Sequence, residues 1–205
     1  MHHYKYKPNR LLRSLYGPGL IWSVRGKEKT VYLTFDDGPH PDITPEVLNI
    51  LKREGVGAVF FCVGENVKRY PDVYRRILAE GHRTGNHTFN HLNGWKTSRE
   101  AYIRNVEKCS EWVDSDLFRP PYGRIRRRQV AGLKSRFRIV MWTALSGDYD
   151  AGVDEGQCLK NALNMKGEGS IVVFHDSLKA RGTVEKVLPL FIAAARERGY
   201  AFGIL

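Results

Sequence analysis

Short apolar runs recur along this chain with helix-length segments between them. That alternation constrains the fold more than any other feature. Residues 31–35, 58–63, 117–118, 138–142, 171–174 and 200–205 read as short buried strands, and 83–86 is placed as a seventh by spacing alone. Thr44 and Pro45 open a helix, as N-cap and first-turn residue, and Gly55 closes it. Further helices are expected over about 71–80, 98–112, 126–134, 153–165 and 183–198. Gly81 and Gly199 fall where helix ends need a left-handed residue. Strands that alternate with helices pair in parallel, because each connection has to cross the face of the sheet. The expected class is α/β, either an open doubly wound sheet or a closed barrel. Neither a GxGxxG turn after a strand nor a GxxxxGK[ST] loop occurs, so the usual nucleotide-binding signatures are missing.

The 205 residues form one domain without a visible linker, long enough to bury a sizeable core. Three cysteines, Cys62, Cys109 and Cys158, are too few and too scattered for a disulfide framework and read as buried thiols. No apolar stretch reaches the length of a membrane span, and no apolar run follows the basic N-terminus as a signal peptide requires. The default expectation is a cytoplasmic or membrane-peripheral protein. The net charge of +11 sits in two places: residues 1–30 carry +6 and residues 119–138 carry +8. The first stretch is read as a basic strap ahead of a catalytic domain spanning 31–205. Its Tyr4, Lys5, Tyr6, Lys7, Arg10, Leu11, Leu12, Arg13, Leu15 and Trp22 also admit contact with an anionic membrane surface.

Parallel α/β folds carry their functional residues at the carboxyl ends of strands. The reactive residue types here fall at those ends: Asp36 and Asp37 after the first, His87 and His91 after the third, Arg119 after the fourth, Asp148 after the fifth, and His175 after the sixth. Side chains alternate along a strand, so the two adjacent aspartates occupy different environments, and one can ligate a metal while the other acts as a base. His87 and His91 are four residues apart, a spacing that puts both imidazoles on one face of a helical turn. With Asp37 they make a two-histidine, one-carboxylate set suited to zinc, iron or cobalt. Arg119 precedes two prolines that hold its backbone extended, and it can pair with Asp36. His175 next to a carboxylate such as Asp148 would favour its charged form and suit a general acid. Each feature alone also has an ordinary reading: a surface turn, loop histidines, a surface arginine, a hydrogen-bonded structural histidine.

Together these residues resemble the polysaccharide deacetylase family, carbohydrate esterase family 4. Thr34-Phe35-Asp36-Asp37-Gly38-Pro39, His87-Thr88-Phe89-Asn90-His91 and Arg119-Pro120-Pro121-Tyr122 are similar to its first three motifs. The fourth, Asp-x-x-Asp-Trp, is altered: Leu145 stands for the first Asp and Tyr149 for the Trp, while Asp148 remains. The fifth, Leu-x-His, is here Val173-Phe174-His175. The resemblance implies a distorted (β/α) barrel with about seven parallel strands, TIM-barrel-like. It implies one divalent metal on Asp37, His87 and His91, zinc first, with cobalt, nickel and iron as alternatives. Asp36 is then the base toward water, kept ionised by Arg119. His175 is the acid toward the leaving amine, oriented by Asp148, and the Tyr122 N–H stabilises the tetrahedral intermediate. Pro121, Tyr122, Trp142 and Tyr149 would contact the substrate, an acetylated glycan. The family also contains O-deacetylases, and amides need leaving-group protonation more than esters do, so His175 with Asp148 favours the amide.

Two rival classes remain at this level. Arg124, Arg126, Arg127 and Arg128 invite a nucleic-acid module, but no aromatic-interleaved RNA motif or helix-turn-helix spacing accompanies them. The altered fourth motif invites a non-catalytic carbohydrate-binding relative. Nucleic acid is not expected as a partner.

Overall fold

A computed structural model describes residues 19–26, 29–165 and 169–205. Eight strands form one sheet: β1 (Thr30–Asp36), β2 (Val59–Cys62), β3 (Arg83–Asn86), β4 (Leu117–Phe118), β5 (Arg138–Ile139), β6 (Ala144–Leu145), β7 (Ser170–His175) and β8 (Ala201–Gly203). Seven helices are described: α1 (Ile43–Glu54), α2 (Gly64–Arg69), α3 (Pro71–Ala79), α4 (Arg99–Ser110), α5 (Arg127–Leu133), α6 (Glu155–Ala162) and α7 (Arg181–Glu197). The order β5-β4-β3-β2-β1-β7-β6 is parallel throughout, and β8 pairs with the start of β1 on the edge that β2 takes further along. The sheet curls into a distorted (β/α) barrel.

Alternation along the strands builds two apolar layers. Val31, Leu33 and Phe35 of β1 join Phe60, Val172 and Phe174 and the buried faces of α1 and α7 on the outside of the sheet. Tyr32, Val59, Phe61, Leu117, Val140 and Ile171 fill the barrel interior. Burying each such side chain contributes about 1.5–3 kcal/mol. Gly85 is needed inside, since a Cβ there would lie 2.5 Å from the Phe61 ring. The inward phase of β1 runs Tyr32, Thr34, Asp36. An apolar interior therefore ends, at its carboxyl rim, in a polar pair of residues.

Residues 20–24 sit in the barrel wall. Ile21 bridges Val140 in parallel, Ser23 bridges Ser170 antiparallel, and Leu20 and Trp22 are buried. Part of the stretch read as a strap thus closes the gap between β5 and β7, and Trp22 is a core residue rather than a membrane-facing one. Residues 1–18, which carry most of the strap and the rest of the membrane expectation, lie outside the described residues. Among the described residues no helix is long and apolar enough to cross a membrane.

Three expectations on elements need correction. The run 138–142 yields a two-residue strand, and Ala144–Leu145 forms a further one, β6, on β7. Helix α2 was hidden by its Gly64 start and its length of six residues. The N-cap of α1 is Asp42, without a side-chain cap bond. The Thr44 hydroxyl is taken up elsewhere, donating to Asp176 Oδ2 at 2.6 Å. The left-handed glycines are found as expected, with φ of 82° at Gly81 and 75° at Gly199.

Candidate active site and metal centre

Asp36 and His175 are the last residues of β1 and β7, paired side by side in register, and His87 and Arg119 directly follow β3 and β4. The carboxyl rim of the barrel thereby gathers the residues expected from strand ends. They open into a cleft of about 700 Å³ whose lining includes Asp36, Asp37, His87, His91 and His175.

One wall is a metal cradle. Asp37 Oδ1 lies 3.6 Å from His87 Nε2 and 3.0 Å from His91 Nε2. All three donor atoms fall within 4.8 Å of one another, the one such group among the described residues. His87 Nδ1 is 2.8 Å from the Arg119 carbonyl oxygen. A carbonyl only accepts, so Nδ1 carries the hydrogen and Nε2 presents its lone pair to the cradle. His91 Nδ1 is 3.1 Å from the Tyr122 hydroxyl, which again leaves Nε2 facing inward. Burial works to raise the Asp37 carboxyl, but the facing His87 and His91 imidazoles and the His175 charge outweigh it and hold the group well below the usual carboxylate range. An ionised oxygen and two oriented imidazoles are the donor chemistry of a divalent metal site. The backbone is forced into this shape: Asp37, Thr88, His91 and Tyr122 have φ of 81°, 64°, 57° and 60°. Such left-handed residues cost about 1–3 kcal/mol each and cluster where function over-determines the geometry.

Behind the cradle, Arg119 is fully buried and 2.7 Å from Asp36 Oδ1. Its guanidinium also donates to Thr34 Oγ1 at 2.8 Å and to the carbonyls of Val140 and Met141 at 3.3 and 3.1 Å, and it stacks over Phe61. Removing its partner would strand a buried charge, so the pair holds Asp36 in one orientation.

The opposite wall is a histidine–carboxylate pair. One Asp148 carboxylate takes two bonds from one residue, from His175 N–H at 2.7 Å and from His175 Nδ1 at 2.7 Å. Burial disfavours the imidazolium, but the Asp148 charge and hydrogen bond win and push His175 up to about 9. The ring is therefore charged at neutral pH, with Nε2 left for a substrate. Tyr149 packs edge-on against it, centroids 4.6 Å apart.

Tyr122, Trp142 and Tyr149 line the cleft as expected. Trp142 is held by Gly123, whose φ of 64° and missing Cβ leave room for the indole. Pro121 does not line the cleft. It is buried and shapes the turn that presents Tyr122.

Two residues were not anticipated. Asn66 donates to the Asp37 carbonyl at 2.8 Å and braces the strained residue. Asp176, buried beside His175, accepts from Gly38 N–H at 3.1 Å and from Thr44. A Cβ at Gly38 would sit 1.9 Å from its Oδ2. Burial, together with the Asp37 charge, pushes Asp176 up to about 7 against those hydrogen bonds. The signals were in the sequence, a second acid after His175 and a glycine after Asp37, but pairing them needs the contact between β1 and β7.

A parallel barrel with a two-histidine, one-carboxylate cradle, an adjacent carboxylate and a charged histidine facing it defines a class: metal-dependent hydrolases. Comparison with known proteins narrows the class. A model described as polysaccharide deacetylase matches residues 23–136. The chain is 33% identical over 194 residues to a peptidoglycan-N-acetylglucosamine deacetylase of Bacillus cereus, covering 89% of each. It is 34% identical over 162 residues to a chitooligosaccharide deacetylase of Azorhizobium caulinodans, covering 75% of this chain and 76% of that one. The crystal structure of the Bc1960 peptidoglycan N-acetylglucosamine deacetylase superposes with a TM-score of 0.86 at 31% identity, over 91% of each chain. This chain belongs to the polysaccharide deacetylase family.

Proposed function

We propose that the chain is a metal-dependent N-deacetylase, with zinc as the metal, that hydrolyses the acetamide of an amino sugar within a poly- or oligosaccharide and releases acetate. Peptidoglycan, chitin-like and exopolysaccharide chains fit this description, and the names of the relatives support the first two. The observation that carries the reading is the meeting of two walls in one cleft, an Asp37–His87–His91 cradle and a His175 bonded twice to the buried Asp148 carboxylate. The catalytic unit is 31–205, closed by residues 20–24.

Asp37, His87 and His91 would hold a divalent ion, which would supply Lewis acidity toward water and the amide carbonyl. Asp36, oriented by Arg119, takes the proton from the attacking water as the C–O bond forms. The Tyr122 N–H donates to the oxygen that gains charge. His175 gives its Nε2 proton to the sugar nitrogen as the C–N bond breaks, and Asp148 holds the imidazolium in place. Trp142 and Tyr149 flank the acetyl group. A histidine held charged by its partner favours the amide over an ester, whose alkoxide leaves with less help.

The test is acetate release from acetylated glycans with zinc, cobalt, nickel or iron, or with chelator. Chelator-sensitive release from N-acetylated oligomers, restored best by zinc, is expected. Bound metal with no release from any substrate would instead favour a carbohydrate-binding relative.

A further inference from the structure

The second basic patch begins at the cleft and continues away from it in a built arrangement. Arg124 lines the cleft next to Tyr122, and its guanidinium lies 5.9 Å from the Tyr122 ring centroid and 5.2 Å from that of Trp95. Tyr122 and Trp95 are 60% and 46% exposed, so both rings beside Arg124 reach solvent. Trp95 is held by its indole N–H, which donates to the Ile125 carbonyl at 3.3 Å, and by Arg126, which donates to the Trp95 carbonyl. Beyond it lies a hollow of about 420 Å³ lined by Arg99, Glu100, Arg126, Arg127, Arg128 and Gln129. Glu100 pairs with Arg99 at 3.4 Å. Among the described residues no carboxylate pairs with Arg124 or Arg126. The side chains of Arg124, Trp95 and Arg126 have no part in the proposed reaction.

We propose that Tyr122, Arg124, Trp95 and Arg126 form a subsite for a sugar bearing an oxyanion, a carboxylate or a phosphate ester, on the glycan strand whose acetamide occupies the cleft. Exposed rings offer faces to sugar C–H edges. A guanidinium stacked on aromatic rings keeps its N–H fork free and pre-oriented for a planar oxyanion. The stacking also removes rotamer freedom before binding, so less entropy is lost when the anion arrives. Continuity with the cleft favours a substituent on the strand itself over a separate partner. This inference rests on the deacetylase reading for the identity of the strand.

The experiment uses four tetrasaccharides: a neutral N-acetylglucosamine tetramer, one alternating N-acetylglucosamine with the lactyl-carboxylate sugar N-acetylmuramic acid, the methyl ester of that second compound, and a phosphorylated tetramer. Acetate release and calorimetric binding by the zinc-loaded full chain are measured at low and high salt. Expected is a preference of about tenfold in kcat/KM for an anionic compound over its neutral match, carried by KM and reduced by salt. The ratio should fall to about two in Arg124→Gln and Arg126→Gln. Which anionic compound wins identifies the group. Equal kcat/KM for charged and neutral compounds, or a ratio unmoved by either variant, overturns the subsite. Tighter binding of a 20-nucleotide single-stranded DNA than of any glycan also overturns it, in favour of a nucleic-acid face. If no compound releases acetate, the deacetylase reading fails, whereas salt-sensitive, Arg124-dependent binding of an anionic compound would still sustain the subsite.

Discussion

The two walls of the cleft are made by different means. The metal wall stands on strained backbone: Asp37, Thr88, His91 and Tyr122 are all left-handed. Side chains from elsewhere pin them, Asn66 on the Asp37 carbonyl and Asn86 on the Thr88 N–H at 2.9 Å. The wall formed by His175 and Asp148 has no such strain. Asp148 and His175 sit in relaxed backbone, and their geometry comes from one buried ion pair in which Ser146 adds a hydrogen bond to Asp148 Oδ1 at 2.9 Å. Ligands to one ion must converge within a few ångströms from separate loops, and that demands unusual backbone. A proton donor needs only a partner that fixes its charge and ring orientation.

The comparison makes the walls separable by mutation. The largest effect should come from His87→Ala, which removes a ligand. Metal content should fall below a tenth of an equivalent, and turnover should drop at least 10³-fold, read by metal analysis and acetate release. His175→Ala should leave metal bound while kcat falls about 10²–10⁴-fold, the usual range for a general acid. Loss of metal in that variant would break the separation.

A third test concerns charge on the relaxed wall. In metal-free protein, NMR titration of His175 should give a value of about 9. Asp148→Asn should lower it, since the charge and hydrogen bond that raise it are removed or weakened. The sign for stability follows: a raised histidine favours the fold below about pH 6.5, and this contribution disappears as pH rises through about 9.

The smallest effect concerns Asp176, which ties the two walls together behind the site. Its carboxyl is raised to about 7, so the folded chain holds a proton that the unfolded chain has lost above about pH 4. Wild-type stability should therefore decline relative to Asp176→Asn as pH rises from about 4 to 7, by denaturant unfolding. Asn still accepts from Gly38 and meets the Thr44 hydroxyl, so its activity should stay within about threefold. Asp176→Ala, which orphans both donors, should weaken metal binding about tenfold.

Most of this architecture was legible in the sequence, for reasons that differ by element. Long strands with apolar residues in both phases, such as β1 and β7, announce themselves, because burial on two faces leaves no polar alternative. The two-residue β6 does not, since nothing local separates Ala144–Leu145 from a continuation of 138–142. Metal ligands were legible because their residue types are rare together. Pro121 was assigned to the substrate on motif position, yet its backbone role buries it. The closing role of residues 20–24 was also hidden, because a bridge to Val140 and Ser170 depends on how the sheet curls. Asn66 and Asp176 were missed for the same reason: each acts on Asp37 or its neighbour across a loop, and only tertiary pairing reveals the partner.

The most direct test of the account is Asp36→Asn, with metal content and acetate release measured on the same sample. The amide oxygen still accepts from Arg119, which also keeps its bonds to Thr34, Val140 and Met141, but the buried guanidinium loses its counter-charge, so retention of the fold is checked by circular dichroism on the same sample. The account predicts about one equivalent of bound metal with turnover reduced at least 10³-fold. Near wild-type acetate release from that variant would contradict it.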